Sequence, residues 1–108
     1  MPYTAKEREI LDQVAAVLHA HYGERLSRVV LFGSRARRDH HEDSDYDILV
    51  VLRGAFDGRT EREVLTNLML PIDLDHDAVI YCCAMADEHF AKEDSILLRN
   101  IRAEGVPL

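Results

Sequence analysis

Cysteine is scarce in this chain of 108 residues, and long apolar runs are absent. The only two cysteines, Cys82 and Cys83, are adjacent, so no disulfide framework is predicted, and no second pair completes a zinc-ligand pattern. No run approaches the roughly 18 apolar residues that span a bilayer, and residues 1–9 contain no apolar segment typical of a signal peptide. We therefore expect a cytoplasmic protein that does not contact a membrane.

Basic residues are also in the minority. Lysine and arginine number 13 against 20 aspartates and glutamates, which gives a formal net charge of −7. Because neutralised phosphates supply most of the affinity for a long nucleic acid, this charge disfavours a polynucleotide partner. The local group of Arg35, Arg37 and Arg38 suits a small anion such as a triphosphate better.

Apolar residues make up 47% of the chain and charged residues 31%, as in a globular protein, and the length predicts a single domain over residues 1–108. Apolar spacing, a capping box at Thr4 and Glu7, and the positions of glycine and proline predict the elements. The predicted order is helix 5–21, strand 28–32, a helical turn at 34–38, a polar loop 39–44, strand 47–52, a helix that opens at residue 58 or 60 and ends at Pro71, strand 74–82, a helix or loop 87–94, and a last helix that Ser95 caps and Gly105 closes. This order predicts an α+β domain of two layers, in which helices cover a mixed sheet of three or slightly more strands.

The first candidate site feature is Gly33-Ser34, which ends the apolar run before it. A strand that turns at a glycine into a helix presents free amides to an anion, and Gly33 allows close approach because it has no Cβ. Ser34 adds a hydroxyl donor, and Arg35 or Arg37 could neutralise phosphate charge. The same pattern is also typical of a helix start that binds no ligand.

The second feature is Asp45-Tyr46-Asp47, which opens the next apolar run. Alternate residues of a strand share a face, so Asp45 and Asp47 project together. Two neighbouring carboxylates repel each other unless a cation lies between them, and Mg²⁺ prefers one or two carboxylates plus phosphate oxygens. A solvated acidic turn is the alternative, and it fits Asp45 better than Asp47.

A third carboxylate is expected on a neighbouring strand. The segment 72–81, which follows Pro71 and includes most of the predicted strand, carries three aspartates of one parity, at positions 73, 75 and 77. Asp77, like Asp47, directly precedes an apolar run, and a parallel crossover would bring both to the same edge of the sheet. Asp77 is therefore the predicted third ligand, and Asp75 is the reserve.

The combined pattern of Gly33-Ser34, ten residues and Asp45-Tyr46-Asp47 resembles the minimal nucleotidyltransferases of the DNA polymerase β-like superfamily. The similarity extends to the capped last helix and Glu104-Gly105-Val106, and it is closest to the MNT-type antitoxins that accompany HEPN-domain toxins. One position departs from the family pattern, because Arg38 stands where the family usually has glycine. His40 and His41 lie outside the motif and are interpreted as solvated loop residues.

The resemblance implies a nucleotidyltransferase fold and transfer of AMP from ATP to a hydroxyl, plausibly of a tyrosine, on a HEPN-type toxin. Asp45, Asp47 and Asp77 would hold two Mg²⁺ ions and perform the catalysis, with Asp77 helping to deprotonate the acceptor. Gly33, Ser34, Arg35 and Arg37 would bind the nucleotide. The resemblance also implies that the chain could form a hetero-oligomer with the toxin.

Two rival functions remain at this point. The chain could be a catalytically weak module that neutralises its HEPN partner by occlusion, a reading that Arg38 keeps open. Modification of a small molecule such as an aminoglycoside is disfavoured, because those relatives generally carry an additional helical domain.

Overall fold

The first helix begins where the sequence predicted. In the computed structural model, which describes residues 3–92 and 94–108, α1 spans Ala5–Tyr22. The Thr4 hydroxyl accepts a hydrogen bond from the Glu7 amide, and the Glu7 carboxylate accepts one from the Thr4 amide, so the capping box is complete. One face of α1 is buried on the sheet, and its apolar members are Ile10, Leu11, Val14, Leu18 and Tyr22.

Four strands form one mixed sheet. They are β1 (Leu26–Phe32), β2 (Tyr46–Leu52), β3 (Ile80–Ala86) and β4 (Val106–Pro107), and a 3₁₀ turn at Gly23–Arg25 leads into β1. The strand order is β3-β2-β1-β4, with β1 antiparallel to both β2 and β4 and with β2 parallel to β3. The short edge strand β4 was not predicted, whereas the parallel pair joined by a helical crossover was.

The crossover helix α3 spans Gly58–His76, and the prediction that Pro71 ends it is wrong. Proline within a helix removes one backbone hydrogen bond. Here Pro71 lies on the exposed side of α3, while the buried stripe continues past it from Met69 to Ile72. Burial of that stripe keeps the chain helical until Asp77, which closes α3 in a left-handed conformation with φ 50°.

Because α3 is longer than expected, the predicted strand 74–82 is wrong for residues 74–79. Strand β3 begins only at Ile80 and continues to Ala86. Both cysteines lie within β3 and are free thiols. Burial raises the pKa of the Cys82 thiol to about 12, as expected for a packed cysteine rather than a reactive one.

Helices cover the sheet on two faces. Helices α1 and α3 cover one face, and the shorter α4 (Asp87–Lys92) and α5 (Ile96–Glu104) contribute Phe90, Leu98 and Ile101 to the core on the other. The predicted stretch 87–94 includes residue 93, which lies outside the described residues. The Ser95 hydroxyl accepts from the Leu98 amide, which confirms the predicted cap. The α+β class with a mixed sheet is confirmed.

Membrane spans are not found in the helices of residues 3–92 and 94–108: none combines the length and the hydropathy that a bilayer requires.

Candidate active site

The Gly33-Ser34 corner connects β1 to a short helix, α2 (Ser34–Arg37). Gly33 has φ 75° and ψ −158°, a conformation that residues with a Cβ rarely adopt. Phe32 pairs with Asp47 across the antiparallel ladder, so Gly33 lies directly against the Asp47 side chain. A Cβ added to Gly33 would collide with the Asp47 carboxylate. The structure therefore brings together Gly33 and Asp47, two of the predicted site residues.

Asp45 and Asp47 stand at the beginning of β2. The flanking Tyr46 and Ile48 face the core under α1 and α3, so alternation directs Asp47 to the opposite face. Asp47 is partly buried, and Asp45 is exposed. Burial raises the pKa of the Asp47 carboxyl, and the negative charge of Asp45 raises it further, whereas Arg37 acts in the opposite direction. The charge of Asp45 therefore disfavours the ionised form of Asp47, and a cation bound by both carboxylates would relieve this repulsion.

Arg37 is the cation whose charge acts on Asp47. Its exposed guanidinium donates to Asp39 at 3.1 Å and lies 3.7 Å from Glu104. Both contacts are at the surface, where ion pairs contribute little to stability. Arg37 can therefore exchange them for a phosphate at modest cost.

Arg35 was predicted to bind the nucleotide, but its side chain points into the protein. The side chain is buried, and its guanidinium donates to the Glu7 carboxylate and to the backbone carbonyls of Glu42 and Ser44. It also lies over the Tyr46 ring, 4.0 Å from the ring centroid. Every nitrogen of this guanidinium has a partner within the protein, which argues against the prediction that Arg35 binds phosphate.

Arg38 occupies the position where the resemblance implies glycine, and its backbone conformation is one that favours glycine. Arg38 ends α2 with φ 65°, a left-handed conformation that disfavours side chains with a Cβ. Two charge-assisted hydrogen bonds to the Glu7 carboxylate, both 2.9 Å, offset this strain, and the guanidinium lies over the Tyr3 ring. Arg38 therefore points towards α1 and does not narrow the Gly33-Ser34 corner.

The third predicted carboxylate does not join the other two. Asp77 is an exposed residue at the end of α3, where it lines a cavity with Tyr46 and Ser44, on the side of the sheet away from Asp47. The reserve candidate, Asp75, is exposed beside His76. Throughout residues 3–92 and 94–108, no group of three acidic, histidine or cysteine side chains could hold a metal ion. The predicted three-carboxylate cluster is therefore not formed, because its third member was assigned to a strand that is helix.

Tyr81 occupies the place that a third carboxylate would need. On β3 it is the partner of Asp47 in the parallel ladder, so the two side chains project from the same face. Its side chain is half exposed. What remains beside the Gly33 corner is a pair of carboxylates, and their hard oxygen donors fit Mg²⁺ that is completed by phosphate oxygens and water.

Two residues with important contacts were missed or misinterpreted from the sequence. Glu7 was recognised only as a capping residue, although it continues the buried spacing of Ile10, Leu11 and Val14 and is itself buried. A charged residue in a buried helical stripe indicates a buried partner, and that signal was available. His40 was interpreted as solvated, but its Nε2 lies 3.2 Å from the Glu7 carboxylate and its side chain is only 16% exposed.

Similarity to known proteins extends over most of the chain. The family model described as "Polymerase beta, Nucleotidyltransferase" matches residues 13–104. A curated relative of Methanocaldococcus jannaschii, named "Putative protein adenylyltransferase MJ0604", is 30% identical over 92% of this chain and 94% of its own length.

Solved structures with a similar fold include a toxin–antitoxin with AMP-PNP, at TM-score 0.63 and 19% identity, covering 89% of this chain and 69% of that one. Another is a tri-AMPylated Shewanella oneidensis HEPN toxin in complex with its MNT antitoxin, at TM-score 0.55 and 18% identity, covering 94% of this chain and 67% of that one. At these identities the likeness is one of fold. The match of the family model and the similarity of the curated relative show that this chain belongs to the polymerase β-type nucleotidyltransferase family.

Proposed function

We propose that this nucleotidyltransferase transfers AMP from ATP to a hydroxyl group, of tyrosine in our proposal, on a HEPN-domain toxin and thereby acts as its antitoxin. The observation that supports the proposal is the contact between the Gly33-Ser34 corner and the Asp47 carboxylate. In the proposal this corner binds the triphosphate beside Asp45 and Asp47. Support for the acceptor comes from the adenylyltransferase name of the curated relative and from the AMPylated HEPN toxin bound to a protein of similar fold. Such a reaction belongs in the cytoplasm, where ATP is available.

In this proposal the chain contributes position and charge rather than a covalent intermediate. The amides and hydroxyl at Gly33-Ser34 bind the outer phosphates, and Arg37 exchanges its surface contacts for a phosphate oxygen. Asp45 and Asp47 would hold Mg²⁺, as many as two ions, which supply neutralisation of the triphosphate charge and of the charge that develops during transfer.

The bond changes are those of an in-line displacement. The acceptor oxygen forms a bond to the α-phosphorus, the bond from that phosphorus to the bridging oxygen breaks, and pyrophosphate leaves with the electron pair. The hydroxyl proton passes to solvent, which reaches the site because Asp45 is exposed.

The test is incubation of the purified chain with ATP labelled at the α-phosphate, Mg²⁺ and the HEPN protein encoded beside its gene. We expect label on the HEPN protein and, by mass spectrometry, on a tyrosine hydroxyl. The matched control is the Asp45→Asn, Asp47→Asn double variant, which keeps the shape of both side chains and should transfer no label. Equal labelling by the control would contradict the proposal.

Tyr81 favours a second candidate function, in which the chain silences its partner by occlusion alone. A site whose neighbouring strand offers a phenol in place of a third carboxylate holds metal less tightly. Isothermal titration calorimetry separates the two functions, because an occluding module should bind its partner but show no Mg²⁺-dependent binding of ATP.

The position of Tyr81 leads to a prediction on metal affinity. Tyr81→Asp would add a carboxylate in register with Asp47, so we expect Mg²⁺ to raise the melting temperature more in this variant than in the wild type. Tyr81→Asn is the matched control without the charge. Equal Mg²⁺-induced shifts in the two variants would show that residue 81 does not face the metal site.

A further inference from the structure

The Glu7 carboxylate is the centre of a buried polar network. It accepts hydrogen bonds from Arg35 at 3.0 Å and from Arg38 at 2.9 Å, and His40 Nε2 lies 3.2 Å away. Its side chain is only 4% exposed. We call these four residues the Glu7 network. A buried carboxylate between two guanidiniums holds its partners in defined positions, because any displacement leaves a charge uncompensated.

Arg35 extends the Glu7 network to the residues that precede the carboxylate pair. Its Nε and Nη2 donate to the carbonyl of Ser44 at 3.0 and 2.8 Å, and Nη2 also donates to the carbonyl of Glu42. Ser44 is the direct neighbour of Asp45 in the chain. At its other end, Arg35 is the direct neighbour of Ser34 in α2. One side chain therefore fixes the Gly33-Ser34 corner and the approach to Asp45 relative to each other.

We infer that Glu7 and Arg35 are positioning residues of the active site: they set the distance between the phosphate-binding corner and the carboxylate pair without contacting substrate. The inference deepens the proposed function and rests on it. Glu7 holds the Arg35 guanidinium, which in turn holds the Ser44 carbonyl. A change at Glu7 should therefore reach Asp45 through two hydrogen-bonded contacts.

Glu61 supplies a matched control. Its side chain, 12% exposed, likewise links separate elements, because it accepts a 2.6 Å hydrogen bond from the Tyr22 hydroxyl and lies 3.8 Å from Arg25. Among its contacts in residues 3–92 and 94–108, none involves α2 or the loop before Asp45. Glu7→Gln and Glu61→Gln therefore remove the same charge from a buried and a partly buried contact, of which only the first leads to the site.

The first measurement is kcat and KM for transfer, well below the melting temperature of every variant. We expect Glu7→Gln to lower kcat at saturating ATP and Mg²⁺ by about tenfold or more, because small misplacements of reacting groups have effects of this size. Glu61→Gln should retain the wild-type kcat. Arg35→Lys keeps the charge opposite Glu7 but loses the forked contact to the Ser44 carbonyl, so it should lower kcat as Glu7→Gln does.

The second measurement is hydrogen–deuterium exchange, which does not depend on activity. The Ser44 amide donates to His41 O at 3.1 Å, and the Tyr46 amide donates to Val79 O at 2.9 Å. Both amides should exchange faster in Glu7→Gln and Arg35→Lys than in the wild type, and they should be unchanged in Glu61→Gln.

The inference is overturned if Glu7→Gln keeps kcat within about twofold of the wild type, if Glu61→Gln loses as much, or if the Ser44 and Tyr46 amides stay protected. A wild-type protein that transfers no AMP would instead refute the proposed function. In that case the exchange measurement still decides whether the Glu7 network holds the approach to Asp45 in place.

Discussion

Replacing Asp47 with asparagine should have opposite effects on activity and on stability. Transfer should fall by about 10²- to 10³-fold, the size expected when a preorganised charge is removed from a reacting site. In metal-free buffer the melting temperature should rise by a few degrees. The reason is that burial and the neighbouring Asp45 both disfavour the ionised form of Asp47, as its raised pKa indicates. Activity assays test the expected loss of transfer, and thermal melts with and without Mg²⁺ test the expected gain in stability.

The pH dependence of this stability difference has a definite sign. A carboxyl whose pKa is higher in the folded than in the unfolded protein binds its proton more tightly when folded. Its unfavourable contribution is therefore fully present above the folded pKa and disappears as the pH falls through that value. The stabilisation by Asp47→Asn should accordingly shrink towards acidic pH. An Asp47→Asn protein that is less stable than the wild type in metal-free buffer would contradict the inferred repulsion between Asp45 and Asp47.

Replacing Gly33 with alanine should lower both stability and activity. The combination of φ 75° and ψ −158° is almost restricted to glycine and costs a residue with a Cβ about 1–3 kcal/mol. The new methyl group would also occupy the space of the Asp47 carboxylate and displace it. We expect transfer to fall by about 100-fold or more, since the metal-binding oxygens would lie out of place.

Gly54→Ala separates backbone strain from the contact with Asp47. Gly54 has a similar φ of 82°, but a Cβ there would meet no atom within 4 Å. This variant should lose free energy of unfolding through backbone strain alone and keep the wild-type rate of transfer. If Gly33→Ala were as active as Gly54→Ala, the corner would not hold the Asp47 carboxylate in its active position.

Local rules were sufficient to predict much of the fold. The capping box at Thr4 and the cap at Ser95 are decided by residues within one turn, and both are present. The parallel pairing of β2 and β3 follows from a helical connection between two strands, which is also local information.

The extent of α3 could not be predicted in this way. Pro71 is a local signal to stop, but the burial of Ile72 against the sheet outweighs it. That tertiary contact shifted β3 along the chain and moved Asp77 from the expected strand to a helix end. The residue beside Asp47 is consequently Tyr81, and no sequence rule applied to positions 74–82 could have identified it.

Site contacts between adjacent strands could be predicted from the sequence. Contacts between residues that are far apart in the sequence could not. Gly33 and Asp47 meet because β1 and β2 are antiparallel neighbours in the sheet and Phe32 pairs with Asp47. Arg35 was assigned to phosphate because arginine beside a glycine turn commonly binds anions. Its true partner, Glu7, lies 28 residues away in sequence, on the buried face of α1.

The pH dependence of the Glu7 contact follows from a lowered pKa. Burial raises the pKa of Glu7, but hydrogen bonds from Arg38, from the Thr4 amide and from Arg35 outweigh it and lower the value to about 2. The contact therefore stabilises the fold fully above the unfolded pKa, and this stabilisation is lost as the pH falls towards 2. Measured by denaturant unfolding, Glu7→Gln should be less stable than the wild type at neutral pH, by about 3 kcal/mol, and the difference should narrow in acid.

Paramagnetic broadening by Mn²⁺ in the presence of ATP would locate the bound metal most directly. We expect the amide resonances of Gly33, Ser34 and residues 45–47 to broaden first, while those of Gly23 and Gly54 remain sharp. Broadening confined to another acidic segment, such as Asp87 and Glu88 at the start of α4, would contradict a triphosphate site between the glycine corner and the two carboxylates.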